Sequence, residues 1–243
     1  MKVYDQIIRK VATGQKQLSI LIDPDKSTIE QVKKTAALSN DVAIDYFFIG
    51  GSLITSDHMD RCIATLKKTS SIPVVIFPGN TMQINSKADA ILFLSLISGR
   101  NAEMLIGKHV IAAPYIRNAK LEVISTGYML IESGKPTSVA YMSNSLPIPH
   151  DKDDIAVCTA MAGEMLGMKM IYMDAGSGAQ DHIGLKMIEK VKKNISVPLI
   201  VGGGINSAQK AKNIYHAGAD MIVVGTAVEK DRSLIRQLAD ARW

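Results

Sequence analysis

The sequence predicts an α/β fold, a (β/α)8 barrel of parallel strands, on two observations. Eight short apolar runs are separated by longer segments, and glycine-rich turns follow the last two runs. The length agrees, because 243 residues is close to the roughly 250 usual for this architecture. The runs are continuous rather than alternating, as parallel strands buried on both faces require. Eight such strands joined by crossovers close a barrel.

In order, the runs are 18–22 (LSILI), 46–50 (YFFIG), 74–77 (VVIF), 90–94 (AILFL), 128–131 (YMLI), 170–173 (MIYM), 198–201 (PLIV) and 221–224 (MIVV). Residues 27–38 read as a helix, with Ser27 as N-cap and Glu30 completing a capping box. Residues 55–68, 154–166 and 183–191 carry apolar side chains at helical spacing, as do residues 207–217, which stop at Gly218, a residue suited to a helix C-terminus. Two connections break the rhythm. Residues 78–89 (PGNTMQINSKAD) are turn-rich and too short for a full helix, so the crossover after the third strand is modified. Residues 132–152 (ESGKPTSVAYMSNSLPIPHDK) lack helical periodicity. So long a loop belongs in a compact domain only when it is functional, and after the fifth strand it sits where an active-site lid would be. No linker or low-complexity tract divides the chain, so residues 1–243 are expected to form one barrel domain.

Composition narrows the function. Hydrophobic residues make up 47%, enough for a sizeable core, and 28 Lys and Arg against 23 Asp and Glu leave a formal charge of +5. That surplus suits anionic small molecules. The basic residues are scattered and not interleaved with aromatics, which argues against nucleic acid. Cys62 and Cys158 have no metal or redox spacing and read as ordinary reduced thiols of a cytoplasmic protein. The first residues lack the apolar stretch of a signal peptide, and no window is apolar enough to span a bilayer. Any membrane contact is therefore expected at the surface.

The motifs that carry chemistry lie at the ends of the runs. VGGGIN (201–206) follows the seventh and VVGTAVE (223–229) the eighth. Glycine there lets backbone N–H groups approach an anion, and barrels commonly build phosphate sites from these two loops. The alternative is that the glycines only make tight turns. LIDPDK (21–26) puts Asp23 at the tip of the first strand, where a carboxylate suits Mg2+ bound to phosphate. It reads equally as a solvated turn leading to Ser27. GGSLITSD (50–57) brings Ser52 to the rim beside Asp23 as a second metal contact, or else Ser52 or Thr55 caps the next helix. YMDAGSG (172–178) aims Asp174 into the mouth as a general base, or as an N-cap. The five histidines (His58, His109, His150, His182 and His216) are dispersed, and GxSxG, GxxxxGK[ST], HExxH and GxGxxG patterns are absent.

Taken together, LIDPDK, FIGGSLIT, VIFPGN, ESGKPTSVAYMSN, YMDAGSGA, VGGGI and VVGTAVE resemble the geranylgeranylglyceryl phosphate synthase family, in order from the first strand to the last helix. The YMDAGSG form resembles the second of its two groups. The resemblance implies a Mg2+-dependent prenyl transfer from geranylgeranyl diphosphate to the 3-hydroxyl of sn-glycerol 1-phosphate, with pyrophosphate leaving. It implies Asp23 and Ser52 as metal residues. It implies glycerol-phosphate contacts from Tyr172, Met173, Asp174, Ala175, Gly176, Ser177, Gly178, Gly203, Gly204, Gly225 and Thr226. It also implies a homo-oligomer, a dimer or hexamer. Asp174 would then deprotonate the hydroxyl, and the missing helix after the third strand would leave a groove for the prenyl tail. Two other readings compete: a phosphosugar isomerase or lyase, and a barrel that only binds a phosphorylated ligand.

Overall fold

The computed structural model describes residues 1–53, 55 and 58–242. Eight parallel strands close into a barrel in chain order. They are β1 (Gln17–Ile22), β2 (Tyr46–Ile49), β3 (Val74–Ile76), β4 (Ala90–Leu96), β5 (Glu122–Leu130), β6 (Met170–Asp174), β7 (Leu199–Gly202) and β8 (Met221–Val224). The helices are α1 (Val3–Ala12), α2 (Ile29–Asp41), α3 (Met59–Thr69), α4 (Lys108–Ala119), α5 (Ser138–Ser143), α6 (Asp153–Met165), α7 (Leu185–Lys193), α8 (Ala208–His216), α9 (Thr226–Lys230) and α10 (Leu234–Asp240). A π-helical segment, Glu103–Gly107, leads into α4.

The continuous runs are explained by two cores. Tyr46 and Phe48 of β2 point into the barrel with Tyr128 and Tyr172, while Phe47 and Ile49 face the surrounding helices. Successive strand side chains alternate faces, and here both faces are dry. The N-terminal helix α1, which periodicity did not single out, contributes Val3 and Ile7 to the inner core, and Glu122 of β5 accepts the N–H groups of Val3 and Tyr4.

Carboxylates tie the strands together at their N-terminal ends. Asp45, Asp89 and Asp220 each precede a strand, and each accepts the N–H of a residue in a neighbouring strand, Leu18, Val74 and Leu199 respectively. Each also pairs with a lysine: Lys10, Lys67 and Lys192. Arg242 adds a second cation to Asp45.

Several expectations shift. The capping box of α2 is formed by Thr28 and Gln31, not Ser27 and Glu30, because the Asp23–Lys26 turn delays the helix by a residue. Glu30 pairs instead with Lys34. The helix expected at residues 55–68 begins at Met59; Ile54, Ser56 and Asp57 of the GGSLITSD motif lie outside the described residues. β5 starts at Glu122, its first half disguised by Glu122, Ser125 and Thr126. As expected, no helix stands between β3 and β4, and Gly218, with φ of +114°, terminates α8 just past its last residue His216. The loop 132–152 contains α5, and Ile148 returns to bridge Ile131 in parallel, so the segment is anchored near its C-terminal end.

Candidate active site

The C-terminal strand ends open into a cavity of about 730 Å³, within the roughly 300–1,000 Å³ typical of small-molecule sites. On one side lies a cradle of backbone. Gly203 and Gly204 follow β7 with φ of +82° and +69°, in the left-handed region that glycine adopts without strain. Space demands glycine too: a Cβ on Gly203 would stand 2.8 Å from the Cβ of Ala175, and one on Gly204 2.5 Å from the carbonyl oxygen of Asp181. From the other side β8 runs into Gly225, and α9 starts at once with Thr226. The Ser177 hydroxyl lies 3.3 Å from that of Thr226, joining the loop after β6 to the turn after β8. Gly176, Ser177, Gly178, Gly203, Gly204, Gly225 and Thr226 all line the cavity. Hydroxyls and freely approached backbone donors suit a phosphate.

Asp174, the last residue of β6, sits beside this cradle and is only 8% exposed. The Tyr128 hydroxyl donates to its Oδ2 at 2.5 Å, and the Gly176 N–H to its Oδ1 at 2.9 Å. Burial raises its pKa above the ordinary carboxylate value, and the two hydrogen bonds oppose the shift. No helix starts nearby, so the N-cap alternative does not hold; α7 begins only at Leu185. A carboxylate made more basic by burial, with its remaining lone pairs open to a cavity, can accept a proton from a bound hydroxyl.

Across the mouth stands Asp23. Its Oδ1 accepts the Asp25 N–H at 3.1 Å and its Oδ2 pairs with Lys26 Nζ at 2.7 Å. Residues 23–26 thus form the turn, although it leads to a cap at Thr28 and not at Ser27. Gly51 packs directly on this carboxylate, which brings Ser52 to the same wall. Neither Ser52 nor Thr55 caps α3; Thr55 donates through its N–H and hydroxyl to Asp25. Glu229 approaches from α9, its pKa raised by burial, lowered in turn by Lys26 and raised by Asp23.

A Mg2+ ion takes hard oxygens, commonly one or two carboxylates with phosphate oxygens and water. The donor types fit it, for Asp23 offers carboxylate oxygens and Ser52 a hydroxyl to the same cavity wall. Among the described residues no three His, Cys, Asp or Glu side chains gather as a metal cage.

The cavity continues as an apolar groove over β4 and beneath α4, lined by Ile84, Ile91, Phe93, Ala112 and Ile116. The helix-free connection after β3 contributes Ile84 to its wall. His109 also lines it, edge-on to Phe93 with ring centroids 4.4 Å apart. Burial lowers its pKa, against the effect of a hydrogen bond to the Leu94 backbone.

Two of the residues implied as glycerol-phosphate contacts point elsewhere. Met173 and Ala175 are fully buried in the outer core against the helices, as strand alternation dictates, and do not line the cavity. Tyr172 does, with Phe77 and Tyr128 as ring neighbours. Sequence reasoning missed Tyr128, His109 and Glu229. Tyr128 opens a run that was recognised, but its partnership with Asp174 depends on strand register, which pairs Leu130 with Asp174 and thus turns Tyr128 inward with Tyr172.

An anion cradle, a buried carboxylate and an apolar groove in one barrel mouth define a phosphate-binding (β/α)8 enzyme acting on an amphipathic substrate. The sequence matches the PcrB family over residues 11–242, and the chain belongs to that family. It is 54% identical over 240 residues to geranylgeranylglyceryl phosphate synthase of Chitinophaga pinensis, covering 99% of this chain and 95% of that protein. The protein of the same name from Spirosoma linguale is 52% identical, covering 93% and 91%. Among solved structures, (S)-3-O-geranylgeranylglyceryl phosphate synthase from Thermoplasma acidophilum, in complex with its substrate sn-glycerol-1-phosphate, superimposes with a TM-score of 0.94 at 33% identity, over 99% of this chain and 98% of that one. Among the described residues no helix is long and apolar enough to cross a membrane.

Proposed function

We propose that this chain is a geranylgeranylglyceryl phosphate synthase. It joins the 3-hydroxyl of sn-glycerol 1-phosphate to C1 of geranylgeranyl diphosphate and releases pyrophosphate, making the first ether bond of an ether lipid. The observation that carries the reading is the continuity of the cavity from the glycine cradle, past Asp174, into the apolar groove. A phosphosugar isomerase or a barrel that only binds phosphate leaves that groove without a use.

Gly203, Gly204, Gly225, Ser177 and Thr226 hold the phosphate, and Tyr172 and Gly178 close around the glycerol. Asp174 takes the proton of the 3-hydroxyl while the new C–O bond forms at C1 and the bond to the diphosphate oxygen breaks. The tail lies along Ile84, Ile91, Phe93 and Ile116. Asp23 and Ser52 would hold Mg2+, and the ion, when bound, would supply positive charge that stabilises the departing pyrophosphate. Fixing both reactants in line supplies much of the rate by orientation. The protein works in the cytoplasm as a homo-oligomer, and meets membranes at their surface. The apolar side chains Ile106, Val110, Ile111 and Tyr115, exposed on and just before α4, offer a face that association would cover.

The test is to supply sn-glycerol 1-phosphate and Mg2+ with farnesyl, geranylgeranyl and longer prenyl diphosphates and to identify the ether product. We expect the highest kcat/KM with geranylgeranyl diphosphate. Preference for a longer chain would correct the donor, and no ether product from any of them would overturn the reading.

A further inference from the structure

We infer that Tyr128 is a positioning residue for the transfer, its phenol fixing the Asp174 carboxylate in the orientation that meets the attacking hydroxyl. The inference rests on Asp174 being the base. Tyr128 and Asp174 come from adjacent strands, β5 and β6, and the phenol reaches Oδ2 at 2.5 Å while the Gly176 N–H holds Oδ1 at 2.9 Å. With both oxygens held, the carboxylate cannot rotate freely, and one lone pair on each oxygen stays open to the cavity.

The phenol is itself held. Tyr128 is 5% exposed, and its ring meets Phe77 and Tyr172 edge-on at centroid distances of 6.0 and 5.5 Å. Swinging it away would displace both neighbours from a packed core. A buried tyrosine usually finds a partner for its hydroxyl, and a backbone carbonyl would serve for packing alone. Here the partner is the carboxylate that faces the cradle.

A structural role and a positioning role differ in what they do to pH dependence. The titratable groups facing Asp174 are Tyr128 from β5 and Tyr172 from its own strand; both phenols are held well above their ordinary pKa, chiefly by burial, and stay neutral. Burial raises the Asp174 pKa, and the phenol's hydrogen bond opposes that. Removing the phenol therefore raises it further. The base works deprotonated, so the acid limb of the rate profile moves to higher pH.

The experiment records kcat and KM against pH for wild type, Tyr128→Phe and Asp174→Asn with saturating diphosphate and Mg2+. Titration of the substrates is common to all three and cancels in the comparison. In Tyr128→Phe, which keeps the ring contacts, we expect kcat at neutral pH to fall on the order of tenfold, the acid limb to rise by about one pH unit, and KM for sn-glycerol 1-phosphate to stay within about twofold. Should that variant fail to fold, 3,5-difluorotyrosine at position 128 keeps the shape, donates more strongly and should move the limb to lower pH. An inactive Asp174→Asn beside a Tyr128 variant whose profile superimposes on wild type overturns this inference alone. A rise in KM with kcat unchanged also overturns it, by making Tyr128 a binding group. An active Asp174→Asn with unaltered pH dependence removes the base and this inference with it.

Discussion

At the scale of residues, the site depends on a few positions where no other side chain will do. Asp174, the proposed base, is one, because an amide there keeps the shape and cannot take up the proton. We expect Asp174→Asn to lower kcat by about 10²–10³ with little change in KM for sn-glycerol 1-phosphate, measured by steady-state turnover; turnover near wild type would contradict the role. Gly203 is another. Alanine there would bring strain at φ of +82° and a contact at 2.8 Å with Ala175, together worth about 1–3 kcal/mol. We expect KM for glycerol phosphate to rise at least about tenfold and the thermal midpoint to drop; an unchanged KM would place the phosphate elsewhere. That Asp23, Ser52, Asp174 and the glycines reach the cavity was legible in the sequence, because barrels open at their strand ends and strand ends can be read from apolar runs. Tyr128 was not, since its meaning lies in which residue of the next strand it faces.

At the scale of elements, apolar period and turn chemistry located the strands well where both faces were dry. They failed where a polar residue had a structural duty. Glu122 and Ser125 hid the first half of β5, and they are polar because they accept or donate at its N-terminal end, Glu122 toward α1 and Ser125 toward Gly167. The cap of α2 was misplaced by one residue because Ser27 and Thr28 both carry hydroxyls, and only backbone geometry chooses between them. We expect Thr28→Ala to cost about 1 kcal/mol and Ser27→Ala far less, by urea denaturation; equal costs would contradict the cap. The aspartates before β2, β4 and β8 make a stronger prediction. Asp220→Ala strands the Leu199 N–H and the Lys192 ammonium, and should destabilise the protein by about 2–3 kcal/mol without altering KM, because this end of the barrel is remote from the cavity.

At the scale of the molecule, the division of labour follows the barrel axis. The N-terminal ends of the strands are tied by carboxylates and closed by α1, while the C-terminal ends are left open to bind. The crossover after β3 carries no helix and contributes Ile84 to the wall of the groove. That groove was anticipated from a gap in the sequence, but its course beneath α4 was not, because the segment 97–121 carries no clean amphipathic stripe. Ala112 is its smallest lining side chain on α4. Ala112→Phe should therefore raise KM for geranylgeranyl diphosphate more than for farnesyl diphosphate, and equal effects would put the tail outside the groove. The central claim concerns the whole reaction, and the most direct measurement is ether formation from labelled sn-glycerol 1-phosphate and geranylgeranyl diphosphate with Mg2+, run beside the sn-3 isomer and an EDTA control. We expect product from the sn-1 isomer that EDTA abolishes. Equal use of both isomers, or no product at all, would contradict it.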